Sequence, residues 1–379
     1  MPWTTRRSIT HVAVESSRLA IPPLVAWAAA AGSLAAAANA FSYAPLTSTT
    51  WARWDSGLYE QIARNGYTLF PCGDGTWCGN AAWFPAYPWL VRALHLFGLP
   101  VLGTAVVVSW SFAAATLFLL WRTFLERRVR AAALGALLYA AFAPGQVYDY
   151  AVFPQAMLAF WTLAHLWLLH RGRWLAAGAC GAVAVLTYPA GALLIPVSAV
   201  WLLTESGVPL PDRLGRIART TGVMLAALGA FVLDQYLETG HWDAFRLKQD
   251  SYNHRLQVPF AATAHALHPV FHASPFALTT APALQTAVVT TVLLVVFVHA
   301  VLRLPSLDRL GILLLLWALV TWALPLAQTN VSLPRGQATL LPLAVLVARL
   351  PGPLTLVLTA AAAAVAIPIE KLFLHGLIV

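Results

Sequence analysis

The chain has 379 residues, 60% of them hydrophobic and only 10% charged, where soluble proteins run about 45–50% apolar and about 25% charged. With a mean hydropathy of +0.72, too little polar surface exists to cover a water-soluble globule, which excludes a disordered chain, a disulfide-rich secreted module and a nucleic-acid binder. The net charge of +9 comes from arginines scattered between apolar stretches; basic loops of a membrane protein account for it, with no nucleic-acid partner.

Repeated apolar stretches near bilayer length predict an all-α polytopic membrane protein, a single integral membrane domain over 1–379. In chain order the predicted spans fall at roughly 20–44, 99–121, 131–146, 156–170, 174–188, 190–203, 220–237, 283–303, 308–326, 337–350 and 353–374. Those at 131–146, 156–170, 174–188 and 190–203 are short, with Pro144, Pro189 and Pro196 near their ends. Such spans read as broken or re-entrant helices lining a cavity, because irregular backbone cannot face lipid. The first span is too long for a cleavable signal peptide. Counting basic residues puts 15 on one set of loops, including Arg6, Arg7, Arg127 and Arg128, and 8 on the other. The richer side is expected to be cytoplasmic, with the N-terminus inside. Two long loops, 45–98 and 239–282, then lie outside. Cytosolic nucleotide donors do not reach that face, so an enzyme there needs a lipid-linked substrate.

The first of these loops carries Trp51-Ala-Arg-Trp-Asp-Ser-Gly-Leu-Tyr-Glu-Gln-Ile-Ala-Arg-Asn-Gly-Tyr67. Asp55 and Ser56 suit a helix N-cap and Gly66 a stop. Leu58, Tyr59, Ile62 and Ala63 make one apolar face opposite Glu60, Gln61 and Arg64, the pattern of a short helix lying on the membrane surface. A carboxylate at that depth suits transfer of a sugar from a lipid phosphate to a hydroxyl. That reaction needs a base for the acceptor's proton and cationic stabilisation of the leaving phosphate. On pattern alone, capping is the simpler account of Asp55.

The stretch from Arg53 to Tyr67, followed by Trp83-Phe84-Pro85-Ala86-Tyr87-Pro88, resembles the PIG-V-type mannosyltransferase family, multi-spanning GT-C glycosyltransferases similar to the second mannosyltransferase of GPI-anchor synthesis. The resemblance is clear over residues 50–95 and weaker over about 130–200 and 240–340. It implies a GT-C-like bundle of about eleven transmembrane helices, with surface-lying helices in the first outer loop. It also implies a polyprenyl-phosphate sugar donor, commonly mannose, inversion at the anomeric centre, and no bound metal. The family's base, an acidic residue of the first outer loop, maps onto Asp55, with Arg53, Tyr59 and Glu60 of the same motif as candidate substrate contacts. The chain departs from the family at Phe153-Pro154-Gln155, where an amide replaces a carboxylate, and at Tyr188-Pro189, where many bacterial relatives carry Arg-Pro. These departures bear on sugar and acceptor more than on reaction type; Gln155 stays a candidate contact.

Cys72 and Cys78 bracket a glycine-rich turn and are expected to form a small disulfide loop outside the cytoplasm; without nearby histidines they make a poor metal site. Asp74 reads as a turn stabiliser and Cys180 as an apolar filler. Residues 83–97 read as a second interfacial helix anchored by aromatics. Asp149, between two short spans, is a second candidate carboxylate. The segment His241–Arg255 is dense in cationic and hydrogen-bonding groups, and Lys248, Tyr252 and His254 together are candidates for the lipid phosphate; a solvated amphipathic helix is the plainer account. Arg335, at the start of the tenth span, wants an anionic partner: the donor phosphate, Asp149, Asp234 or a headgroup. Asn330-Val-Ser332 has the form of a glycosylation sequon.

The leading expectation is thus transfer of a sugar from a polyprenyl phosphate to an unknown lipid-, glycan- or protein-linked hydroxyl, among membrane lipids and without a cofactor. A transporter or flippase, which would place ionisable groups near the bilayer midplane, and a non-catalytic subunit of a glycan assembly complex are the alternatives.

Overall fold

The computed structural model describes residues 9–125, 130–255, 257–272, 274, 277–303, 307–329 and 332–378. Arg6, Arg7, Arg127 and Arg128 of the basic loops, and Asn330 and Val331 of the sequon, lie outside the described residues.

Helix α1 (Ile9–Ala40) is followed by the first long loop, which folds into a 3-10 turn at Ser48–Trp51, α2 (Ser56–Asn65), the strands β1 (Leu69–Pro71) and β2 (Trp77–Gly79), and α3 (Ala86–His95). The bundle continues with α4 (Val101–Leu120), α5 (Arg130–Ala141), the single turn α6 (Val147–Tyr150), α7 (Gln155–His170), α8 (Trp174–Thr187), a 3-10 turn at Pro189–Leu193, α9 (Leu194–Leu203) and α10 (Leu210–Thr239). The second long loop holds α11 (Ala244–Asp250) and α12 (Pro259–Leu267). The chain closes with α13 (Thr280–Leu302), α14 (Arg309–Leu326), the short helices α15 (Leu333–Ala338) and α16 (Ala344–Val347), and α17 (Gly352–Leu374).

Six of these helices, among the described residues, are long and apolar enough to cross a membrane: α1 from Ala20, α4 with its extension to Leu125, α10, α13, α14 and α17. The four short predicted spans are helices of 12 residues in α5, 16 in α7, 14 in α8 and 10 in α9, the last preceded by its 3-10 turn. The predicted span at 337–350 is not one continuous helix. It is broken into α15, a 3-10 turn at Leu341–Leu343 and α16, and every residue from Gly336 to Ala348 is buried. Pro342 removes a backbone donor mid-segment. The segment's two ends lie near opposite ends of α14, Gly336 against Pro325 and Arg349 paired with Asp308 at 2.7 Å. Its irregular backbone is tolerated because protein, not lipid, surrounds it.

One polar side chain inside the bundle bonds to both of its neighbouring helices. His165 on α7 is fully buried; its Nδ1–H donates to the carbonyl of Ala177 on α8 at 2.8 Å, so Nε2 accepts from the Ser198 hydroxyl on α9 at 2.8 Å. One imidazole thereby ties three helices. Close approach of α8 to α10 depends on small residues, since a Cβ on Gly181 would lie 2.4 Å from Met224 Sδ and one on Gly178 2.8 Å from the Thr220 carbonyl.

The two long loops pack on each other. Strands β1 and β2 pair antiparallel, Phe70 opposite Cys78, and a Cys72–Cys78 disulfide closes the hairpin. Asp74 accepts from the amide and hydroxyl of Thr76 at 3.0 and 2.6 Å, shaping the turn. The Trp77 carbonyl of β2 then accepts from Lys248 Nζ at 2.9 Å and Ser251 Oγ at 3.1 Å, and Phe84 meets Phe245 edge-on at 5.5 Å.

Gly145 sets the turn between α5 and α6 at φ +82°, where a Cβ would lie 2.6 Å from the Pro334 carbonyl. Gly145→Ala is therefore expected to lower stability by about 1–3 kcal/mol through strain and the forced shift of α15. Gly57→Ala, with nothing within 4 Å of the new methyl, should be neutral or mildly stabilising. Thermal unfolding of the two variants in detergent checks this; equal midpoints would contradict it.

Candidate active site

Helix α2 begins where the sequence expects it, but not by the expected cap. Asp55 precedes its first residue with no side-chain capping bond, and Gly66 ends it. Ser56 Oγ instead anchors the turn, accepting from the Arg53 amide at 3.0 Å and donating to the Val152 carbonyl at 3.1 Å. Trp54 sits at φ +49°, a left-handed conformation that is costly for a bulky side chain. The backbone is thus turned so that the Asp55 carboxylate points away from its own helix.

It points at Arg335, whose Nη1 donates to Asp55 Oδ2 across 280 positions of sequence. The two side chains are 17% and 18% exposed. Arg335 is aimed by a buried polar network: Ser332 caps α15 by accepting from the Arg335 amide at 3.4 Å, Gln285 Nε2 on α13 donates to the Pro334 carbonyl at 3.0 Å and to Gln337 Oε1 at 3.2 Å, and Gln337 donates to the Thr286 hydroxyl at 2.9 Å. The guanidinium lies 5.8 Å from the Phe153 ring centroid, and its Nε–H is buried without a hydrogen-bond partner among the described residues.

The ion pair sits at the polar end of a cavity of about 820 Å³ between the two long loops and the ends of α8, α13, α14 and α15. Tyr59, Tyr188, Tyr252 and His254 complete that end; Trp83, Phe84, Phe245, Leu193, Leu324 and Pro325 give apolar wall. Burial pushes the Tyr59 phenol well above its ordinary range. Burial, with Asp55 adding to it, pushes Tyr252 up to about 12. Both phenols are therefore neutral at neutral pH and able to donate a hydrogen bond to an anion. His254 Nδ1 donates to Gln249 Oε1 at 2.5 Å, which fixes the ring against the cavity.

Five of the ten residues singled out in the sequence therefore line one cavity: Asp55, Tyr59, Tyr252, His254 and Arg335. The other five do not. Arg53 ties the first loop to the C-terminal helix, donating to the Leu374 carbonyl at 2.9 Å and to those of Thr49 and Ala52 at 2.5 and 2.8 Å. Glu60 pairs with Arg64 at 2.8 Å, one turn along the outer face of α2. Lys248 is engaged by the Trp77 carbonyl, and its Nζ lies 4.5 Å from the Tyr252 ring centroid; burial lowers its pKa. Asp149 is buried in α6 away from the cavity, where burial pushes its carboxyl up to about 8. Gln155 is buried at the start of α7. Arg335 is partnered by none of the carboxylates named for it in the sequence. Reasoning from sequence missed Tyr188, Gln249 and Ser332. Tyr188 was visible only as a departure from a family pattern, and Gln249 only as the residue one turn before Tyr252.

No family model matches the chain, and no curated protein matches it. Among solved structures it is similar to the oligosaccharyltransferase of Archaeoglobus fulgidus in the apo form, with a TM-score of 0.50 and 13% identity over 86% of this chain and 50% of that one. The likeness is one of fold. A structure of the same archaeal enzyme with Zn and sulfate aligns at a TM-score of 0.40 and 11% identity, over 86% of this chain and 48% of that one. The chain spans about half the length of the solved structures that it matches.

The Lys248 bond makes β2 depend on the second loop. Lys248→Met keeps the stem and removes the donor, at an expected cost of about 1 kcal/mol. Amide exchange at residues 77–79 should then quicken about fivefold, read by mass spectrometry; unchanged protection there would show that Ser251 alone holds the strand.

Proposed function

We propose that the chain is an inverting glycosyltransferase of the GT-C type that moves a sugar from a polyprenyl-phosphate donor to a hydroxyl of a lipid, glycan or protein. Mannose is the sugar favoured by the resemblance of residues 53–67 and 83–88 to PIG-V-type enzymes. The observation that carries the reading is the Asp55 carboxylate and the Arg335 guanidinium at the polar end of a cavity whose remaining walls are largely apolar. A lipid phosphate sugar has the same division of polarity: a charged, hydroxyl-bearing head and a hydrocarbon tail.

The chemistry follows from the two groups. The acceptor oxygen attacks the anomeric carbon as Asp55 takes its proton. The new carbon–oxygen bond forms on one face while the bond to the phosphate oxygen breaks on the other, so configuration inverts. The electron pair leaves with the lipid phosphate, whose charge Arg335 and the neutral phenols of Tyr59 and Tyr252 stabilise. A phosphate is already a good leaving group and needs no proton, so one carboxylate suffices. The asymmetry of basic residues, 15 against 8, supports a site on the extracytoplasmic face, with the N-terminus in the cytoplasm.

The test is transfer of radiolabelled mannose from polyprenyl-phosphate mannose by the purified chain in vesicles. Asp55→Asn should retain its fold and lose about 10²–10⁴ in rate, the usual worth of a positioned base. Glu60→Gln, altered outside the cavity, should stay within about twofold of wild type, as surface changes usually do. An unchanged rate in Asp55→Asn would reject the base, and label accumulating inside vesicles without transfer would point to transport.

A further inference from the structure

The carboxylate assigned as base and the guanidinium assigned to the leaving phosphate are closed on each other, and neither can do its work in that state. A carboxylate whose Oδ2 is taken by a guanidinium is turned to that partner and not to an acceptor hydroxyl. A guanidinium occupied by a carboxylate has less to offer a phosphate. We infer that the Asp55–Arg335 pair is a latch opened by the phosphate of the lipid donor, so that Asp55 becomes a free base only once the donor's anion has taken its place on Arg335. This rests on the glycosyltransferase reading above and adds an order to it, donor before acceptor.

Three observations favour exchange over a permanent pair. The first is the unequal use of the guanidinium: Nη1 is bonded to Asp55, while the buried Nε–H has no partner among the described residues. A phosphate presents several oxygens and can take Nη1 together with the adjacent Nη2, where Asp55 is met through Nη1. The second is that donors at this end of the cavity suit an anion other than Asp55. Tyr59 and Tyr188 line it beside Arg335. The third is an asymmetry in how the two partners are held. Arg335 belongs to a segment fixed through Gln285, Gln337 and Ser332 and by the close approach of Gly145. Asp55 makes no side-chain capping bond to α2, so its carboxylate can rotate away without giving up a helix cap.

The latch makes a counter-intuitive demand: removing the charge of the base must improve binding of the phosphate. A ligand that has to displace an internal contact binds more weakly by the fraction of time the contact is open. A latch closed about 90–99% of the time weakens binding about ten- to a hundredfold. The experiment measures binding of polyprenyl phosphate, with no sugar attached, to the full chain in nanodiscs by thermophoresis. Inorganic phosphate and uncharged polyprenol are parallel ligands. Asp55→Asn should bind polyprenyl phosphate at least tenfold more tightly than wild type, Arg335→Gln should bind it more weakly, and polyprenol should bind the wild type and Asp55→Asn alike. Tightening with inorganic phosphate as well would show that the anion alone opens the latch; tightening restricted to polyprenyl phosphate would show that the lipid tail is needed to deliver it. Either result supports the exchange. Equal or weaker binding of polyprenyl phosphate by Asp55→Asn, or equal tightening with polyprenol, overturns the latch while leaving the donor assignment standing. No saturable binding of polyprenyl phosphate by either protein overturns the donor assignment, and the latch with it. Thermal midpoints of the variants, measured in the same nanodiscs, separate lost binding from lost folding.

Discussion

A carboxylate and a guanidinium meeting across 280 positions in a mostly buried site constrain nearly everything around them. Taking either charge out of water is expensive unless an opposite charge or a ligand meets it. The chain must therefore deliver both to one point within a fraction of an ångström. That requirement explains the density of backbone anchoring on each side: Ser56 bonded to residue 152 and Arg53 to residue 374 beneath α2, Gln285 and Gln337 beneath α15. These bonds join loops to distant helices, so the site is held by the whole bundle and not by a local motif.

The second long loop enters the same economy from the side. Its helix α11 carries Phe245 and Gln249 into the cavity wall, but a seven-residue helix has little stability of its own. What holds it is the disulfide-closed hairpin, through Lys248, Ser251 and Trp77, and the edge-on contacts of Trp83 with Tyr252 and Phe84 with Phe245. Aromatic residues that read in the sequence as headgroup anchors thus also serve as contacts between the loops. The same is true of Lys248: its charge suggested a phosphate ligand, yet a buried ammonium can equally serve as the donor that one orphan carbonyl requires.

What the sequence made legible were features set by short range. The limits of α2, from Ser56 to Asn65, follow from its flanking residues and Gly66, and the long helices follow from composition alone. The disulfide loop followed from two cysteines around glycines, but its paired strands did not. The break in the segment at 337–350 was not recoverable from hydropathy, because a broken and a continuous helix have the same apolar composition. Nor could the partner of Arg335 be found: Asp149 and Asp234 looked equally available in sequence, and only the packing of α6 into the interior removes Asp149 from the cavity. The family resemblance pointed to Asp55, but nothing in the motif announced that its base would be occupied by a cation.

The irregularities of the backbone fall where that pairing needs them. Residues 333–347 do not form one straight helix. The break into α15 and α16 lets the six residues of α15 lie against α14, close enough that a Cβ on Gly336 would sit 2.9 Å from Pro325, and brings the guanidinium to the cavity wall. On the opposite side, Trp54 holds a left-handed backbone that Asn or Gly would adopt at less cost. Strain of this kind persists only where surrounding structure over-determines it, and here the bonds of Arg53 and Ser56 on either side of Trp54 do so. The two irregular segments are thus matched halves of one arrangement: each departs from regular helix so that a charge, expensive to bury alone, meets its opposite at the edge of an apolar cavity.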